Sequence, residues 1–256
     1  MVALGGDEYH FILTAHHIIA DGWSCGVLLR DLGKLYEAAE KGVRPDLPAP
    51  MQLSEWVRKL ADEQASEERQ GSLAYWLEQY KDSVPTLDLP TDRPRPPVKT
   101  YKARRANLAL DADYTKQVKQ LAAKHGATTF ATLLAAYQTF LYRLSGQSDL
   151  VVGFSMAGQS NLQGKDLVGH CVNFLPLRMS VDGQSTMADQ IAQARGKVFD
   201  AVENQHFTFG NLIKRINLRR DPSRVPLMSV AFNLDPSSKG IQFGSARVTP
   251  GSTPRR

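Results

Sequence analysis

An α/β fold is the class this chain predicts, and two patterns predict it. Short β-rich apolar runs alternate along the chain with longer segments of helical periodicity. The 256 residues, 42% of them hydrophobic and 22% charged, are enough to bury a large core in one large domain or two small ones.

The elements follow in order. "YHFILTA" at residues 9–15 has the length and composition of a strand. "HHIIADG" comes next, and then a helix over 23–42, with Leu28, Leu32, Leu35, Tyr36 and Ala39 on one face and Gly42 as its stop. Residues 51–83 predict one or two charged helices carrying Trp56, Tyr75 and Trp76. "LPTDRPRPP" at 89–97 cannot be helical and is expected to be an extended link between subdomains. "RRANLAL" at 104–110 is expected to be a strand, and Asp111 the N-cap of a helix that runs to Gly126.

The most apolar helix is predicted from 128 to 146. There Phe130, Leu133, Leu134, Tyr137, Phe140, Leu141 and Leu144 would wrap much of the circumference of a central core helix. Strands are expected at 149–157, 172–181 and 226–234, and a helix at 186–205. The expected organisation is residues 1–88 as an N-terminal piece, 89–100 as a proline-rich linker and 101–256 as a C-terminal α/β subdomain.

Composition excludes several classes. The net charge of +5 is spread over short clusters, without the long basic run or known module of a nucleic-acid partner, so no nucleic acid is expected. No apolar run reaches the ~18 residues of a membrane helix, and the first ten residues lack a signal peptide's basic start and apolar stretch. No membrane partner is therefore expected. Cys25 and Cys171 stand far apart in apolar context and read as buried free thiols of a reducing, cytoplasmic compartment.

The chemistry concentrates at His16, His17 and Asp21. Adjacent strand residues point to opposite faces, so the two histidines would not converge on a metal ion, and none is expected. Two readings stay open. Both histidines can be structural, or one can be a general base, since imidazole accepts a proton near neutrality. In either case one ring should point inward and one outward. Asp21 reads as a helix cap or as a charge that fixes the turn through an arginine or backbone amides, and Gly22 as the residue permitting a sharp turn. A rival site is Ser155 in "GFSMA", which resembles a nucleophile elbow. The following "GQSNLQG" is loop-like where an elbow needs a helix, so a strand-end serine is the default.

"HHIIADG" resembles the His-His-x-x-x-Asp-Gly signature of condensation domains from nonribosomal peptide synthetases, within the wider chloramphenicol acetyltransferase-like superfamily. Further stretches occur in that family's order. They are "YW" with "LPTDRPRP", "VGHCVNFLPLR" with Asn173 and Arg178, "NQHFTFGNL", and "RDPSRVPLMSVAFNLD" with Arg220, Asp221, Ser223 and Arg224. The resemblance covers nearly the whole chain.

It implies a chloramphenicol acetyltransferase-like two-subdomain fold with most of the N-terminal subdomain missing, because relatives carry a much longer stretch before the histidine motif. It also implies amide formation, in which a carrier-bound aminoacyl amine attacks an upstream carrier-bound acyl thioester. His17 is then the catalytic residue, as general base or as positioner and stabiliser. His16, Asp21 and Gly22 support it, and Asn173, Arg178, Arg220, Asp221, Ser223 and Arg224 are tunnel or motif residues.

No bound cofactor is implied, because the substrates ride on the phosphopantetheine of upstream and downstream carrier domains. An adenylation domain is the further partner. Where many relatives carry an arginine able to pair with Asp21, this chain has Gln159, and Asn204 and Thr208 replace a usual histidine and proline. The intact histidine motif argues against heterocyclising relatives, and the later motifs against epimerising ones. The alternatives of other kinds are a stand-alone acyl-coenzyme A-dependent acyltransferase and a non-catalytic carrier-docking module.

Overall fold

The computed structural model describes residues 1–100, 102–161, 166–218, 221–235 and 241–249. They fall into two units. The larger comprises residues 63–156 and 173–235, the smaller 1–62, 157–172 and 236–256. The larger unit thus takes in residues 63–88, ahead of the proline-rich stretch, because Trp76, Tyr80 and Leu87 are buried in its core.

The sheet of the larger unit has three strands in the order β4-β3-β5, where β3 is Asp149–Ala157, β4 Val172–Ser180 and β5 Val230–Ala231. β3 and β5 run parallel, pairing Val152 with Val230 and Gly153 with Ala231. Leu150, Val151, Val152, Gly153 and Phe154 are buried one after another, as in a central strand covered on both faces. A Cβ on Gly153 would stand 2.3 Å from Met228 Sδ, so any side chain there would force Met228 to move.

The helices of this unit are α3 (Glu67–Gln79), α4 (Ala112–Lys124), α5 (Thr129–Ser145), α6 (Met187–Glu203) and α7 (Phe209–Arg215). Each begins at a side chain that accepts an otherwise orphaned backbone N–H. The caps are Ser66, Asp111, Thr128, Thr186 and Thr208. α5 ends on Gly146 in the left-handed conformation, at φ 71°. It buries one face through Ala131, Leu134, Ala135, Gln138 and Leu141. The wider apolar girdle expected from its sequence is not buried, since Phe140 is 57% exposed and Leu144 43%.

Three expected strands are shortened or absent. Residues 104–110 form no strand and are exposed, Leu108 to 87%; strand composition alone does not order a run that pairs with no sheet edge, and its backbone groups are open to water. The strand expected over 226–234 is reduced to β5; Leu227, at a left-handed φ of 67°, breaks the extended chain at its start. In the smaller unit, regular pairing of the expected 9–15 strand ends at His10. β2 (Glu8–His10) pairs antiparallel with β1 (Val2–Gly5), and Phe11, Ile12 and Leu13 continue exposed and unpaired.

The smaller unit also holds α1 (Gly22–Lys41), closed by Gly42 at φ 64°, and α2 (Leu53–Asp62). Its small core is Met51 and Leu167, packed by Trp56 and Cys171, and Met51 N–H donates to the Asp166 carbonyl at 2.8 Å. Arg30 pairs with Asp166, while Phe243 meets the rings of Phe11 and Tyr36.

Candidate active site

The histidine loop is a turn rather than the end of a strand. The Ile19 N–H donates to the His16 carbonyl at 3.0 Å, and the Ile18 N–H donates to His16 Nδ1 at 3.1 Å. His16 is thereby folded back on its own backbone. Both histidines are exposed, which corrects the expectation of one inward and one outward ring, since strand alternation does not operate in a turn. The His17 ring stands edge-on to that of His170, with centroids 5.1 Å apart and planes at 85°.

Asp21 is the buried anchor beneath this loop, 2% exposed. It is the N-cap of α1. Its Oδ1 accepts from the Ser24 N–H at 2.9 Å and lies 2.7 Å from the Ser24 hydroxyl. Its Oδ2 accepts from Gln159 Nε2 at 2.8 Å and from the Cys171 N–H at 3.0 Å. The Ser24 hydroxyl in turn accepts from the Gly169 N–H at 3.0 Å.

Gln159, itself 2% exposed, therefore meets Asp21 through a neutral amide donor in the role that an arginine would fill with charge. Burial by itself raises the Asp21 pKa. The hydrogen bonds from Gln159, from Ser24 and from the Cys171 backbone outweigh it and hold the carboxyl below its ordinary range. Burial, with the Asp21 charge adding to it, pushes the Cys171 thiol up to about 11.

Gly22 is not required by the turn. Its φ lies outside the left-handed region, and a Cβ there would meet open space. Asp21, extended at φ −116°, already makes the change of direction into the helix.

The remaining motif residues hold segments together within the larger unit. Asn173 donates through Nδ2 to the Phe207 carbonyl at 2.6 Å and accepts at Oδ1 from the Phe209 N–H at 3.0 Å, clipping the entry of α7 to β4. Arg178 grips Asp149 with two nitrogens, at 3.0 and 2.6 Å. It also donates to the carbonyls of Gln79 and Ser83 and to the Ser83 hydroxyl. Arg224 donates to the Leu87 carbonyl at 2.8 Å and to Asp88 at 2.6 Å. Asp221 accepts from the Ser223 N–H at 2.8 Å.

Arg220 lies outside the described residues. Thr208 caps α7, and the Asn204 carbonyl accepts from the Trp76 indole at 2.7 Å, so both unusual residues have scaffold roles. Ser155 sits within β3, and the chain beyond continues as a short 3-10 turn (Gly158–Asn161), not the helix of a nucleophile elbow. Among the described residues no group of three or more histidine, cysteine, aspartate or glutamate side chains could hold a metal ion. No described helix is long and apolar enough to cross a membrane.

Ser24, Gly169 and His170 were not singled out by sequence reasoning. Ser24 had a local signal, because a hydroxyl three residues after an aspartate N-cap can return to it. His170 had none, since its partner lies far away along the chain.

The chain is similar to known proteins along most of its length. The chain is 37% identical over 235 residues to a linear gramicidin synthase of Brevibacillus parabrevis, covering 91% of this chain and 3% of that protein. It is 36% identical over 239 residues to the phosphinothricin tripeptide synthetase PhsC of Streptomyces viridochromogenes, covering 92% and 22%. Among solved structures, the first condensation domain of the CDA synthetase superposes with a TM-score of 0.73 at 22% identity, over 90% of this chain and 50% of that one. The condensation domain of the Monacolin K polyketide synthase MokA does so with a TM-score of 0.74 at 23% identity, over 84% and 51%. The chain thus spans about half the length of these solved domains and a small part of the synthetases. The fold they share is the chloramphenicol acetyltransferase-like one expected from the motifs. The family description "Condensation domain" matches residues 1–246, and the chain belongs to the condensation domain family.

Proposed function

We propose that this chain is part of a domain that forms amide bonds between two carrier-bound substrates, with His17 as the residue at the reacting atoms. The observation that carries the reading is the exposed His17 imidazole, on a turn that ends at the buried, hydrogen-bonded Asp21. The nucleophile is the amine of a downstream aminoacyl thioester. It attacks the upstream acyl carbonyl, the C–N bond forms, and the carrier thiolate leaves. His17 orients the amine and accepts its proton, which then neutralises the departing thiolate. Asp21 is too deeply buried to carry that proton and works by fixing the turn.

The partners are upstream and downstream carrier domains and an adenylation domain, in the cytoplasm, with no cofactor resident on this chain. Membership of the condensation domain family and similarity to peptide synthetases support the carrier and adenylation partners.

The test compares tethered with free donors in the intact parent synthetase. Tethering supplies an effective concentration in about the millimolar range, so acyl groups loaded on the cognate carrier should give amide where the same acyl-coenzyme A at micromolar concentration gives almost none. Efficient turnover of free acyl-coenzyme A with a soluble amine would contradict the reading in favour of a stand-alone acyltransferase.

A further inference from the structure

The His17 imidazole makes no hydrogen bond among the described residues, and its side chain is exposed. What meets it is the ring of His170, edge-on at 5.1 Å and 85°. Edge-to-face geometry is a preferred arrangement of flat rings, because the positive edge of one faces the negative face of the other.

His170 is also exposed, but its backbone is held on both sides. The Gly169 N–H donates to the Ser24 hydroxyl at 3.0 Å, and the Cys171 N–H donates to Asp21 Oδ2 at 3.0 Å. The Cys171 carbonyl accepts from the Gly158 N–H at 3.1 Å. Asp21 and Ser24 begin the helix that follows the His17 turn. One buried carboxylate therefore fixes both the turn that carries His17 and the segment that carries His170.

We infer that His170 is a positioning residue for His17: its ring restricts the rotation of an otherwise unheld imidazole and keeps one nitrogen turned to the reacting amine. The inference rests on the reading of His17 given above. It gives the buried network, which already fixes the His17 turn, a second task in holding the segment that carries His170.

The test is a double-mutant cycle in the intact parent synthetase with loaded carriers. His170→Ala should lower kcat about five- to tenfold with KM for the acceptor carrier unchanged. His170→Phe, which keeps an aromatic edge, should recover most of that loss. In a His17→Ala background, His170→Ala should have no further effect.

Imidazole proton spectra of the present chain give a readout independent of turnover. The His17 ring resonances should move in His170→Ala and stay close to their native positions in His170→Phe. Unchanged His17 resonances in His170→Ala, an unchanged kcat, or an equal loss with and without His17 would each overturn the inference. A full rate in His17→Ala alone would overturn the reading of His17 and this inference with it. A lost rate in His17→Ala beside a native rate in His170→Ala would overturn the inference alone.

Discussion

Asp21 is a buried carboxylate held entirely by neutral donors. The carboxylate makes four hydrogen-bonding contacts, two of them to the side chains of Ser24 and Gln159 and two to the backbone N–H groups of Ser24 and Cys171. Removing it by Asp21→Ala strands the donors of Gln159, Ser24 and Cys171, and should cost roughly 3 kcal/mol of unfolding free energy by denaturant titration. The pH dependence follows from the lowered pKa. The folded value lies below the unfolded value of about 3.9, so the carboxylate's contribution is complete above about pH 4 and is lost as pH falls through the folded value. Asp21→Asn should accordingly lower stability at neutral pH and flatten the acid limb of the curve. A second consequence falls on Cys171. With its thiol pushed up to about 11, it should alkylate slowly at neutral pH in a Cys25→Ser background, and faster once Asp21→Asn removes the neighbouring charge. The pairing of Asp21 with backbone amides was legible from a small acidic residue ahead of a helical pattern. The edge-on contact of His170 was not, because no local pattern encodes a tertiary ring contact.

At the scale of elements, the helices were legible because their signals are local. Asp111 and Thr128 begin α4 and α5 where a capping side chain precedes an apolar period, and Gly42 and Gly146 end α1 and α5 in the left-handed conformation. Strands depend on partners, and the misses follow from that. Residues 104–110 have strand composition and no strand, while one left-handed residue, Leu227, shortens another. α5 carries a further test. Gln138 is fully buried, and neither its Oε1 nor its Nε2 has a hydrogen-bond partner among the described residues. Such atoms lose their water without compensation, so Gln138→Leu should raise stability by about 1 kcal/mol, read as an upward shift of the thermal midpoint. A lower midpoint would mean that the amide is satisfied in solution.

At the scale of the whole molecule, the two units differ in what holds them. The larger has a continuous core that includes Trp76, Leu134, Leu150, Leu175, Leu177, Ile191 and Leu212. The smaller has, among its described residues, a core cluster of only Met51 and Leu167, packed by Trp56 and Cys171, besides the buried Ala20, Val27 and Ala38, and exposes Phe11, Ile12, Leu13, Ile18 and Ile19. Amide hydrogen exchange should therefore be slowest in β3, β4, α5 and α6 and much faster in residues 1–62. Residues 67–80 should exchange with the slow group although they precede the proline-rich stretch, because Trp76 and Tyr80 are buried in the larger core. Uniform protection, or fast exchange throughout 67–80, would contradict this division.

The central claim is that the exposed imidazole at the Asp21-anchored turn does the chemistry. Its most direct measurement is single-turnover amide formation by the intact parent synthetase carrying His17→Ala, with both carriers fully loaded beforehand. A positioned acid–base group contributes ~100-fold or more, so product should form at least about 100-fold more slowly than in the wild type, with loading of both carriers unaffected. Product at near wild-type rate would contradict the account.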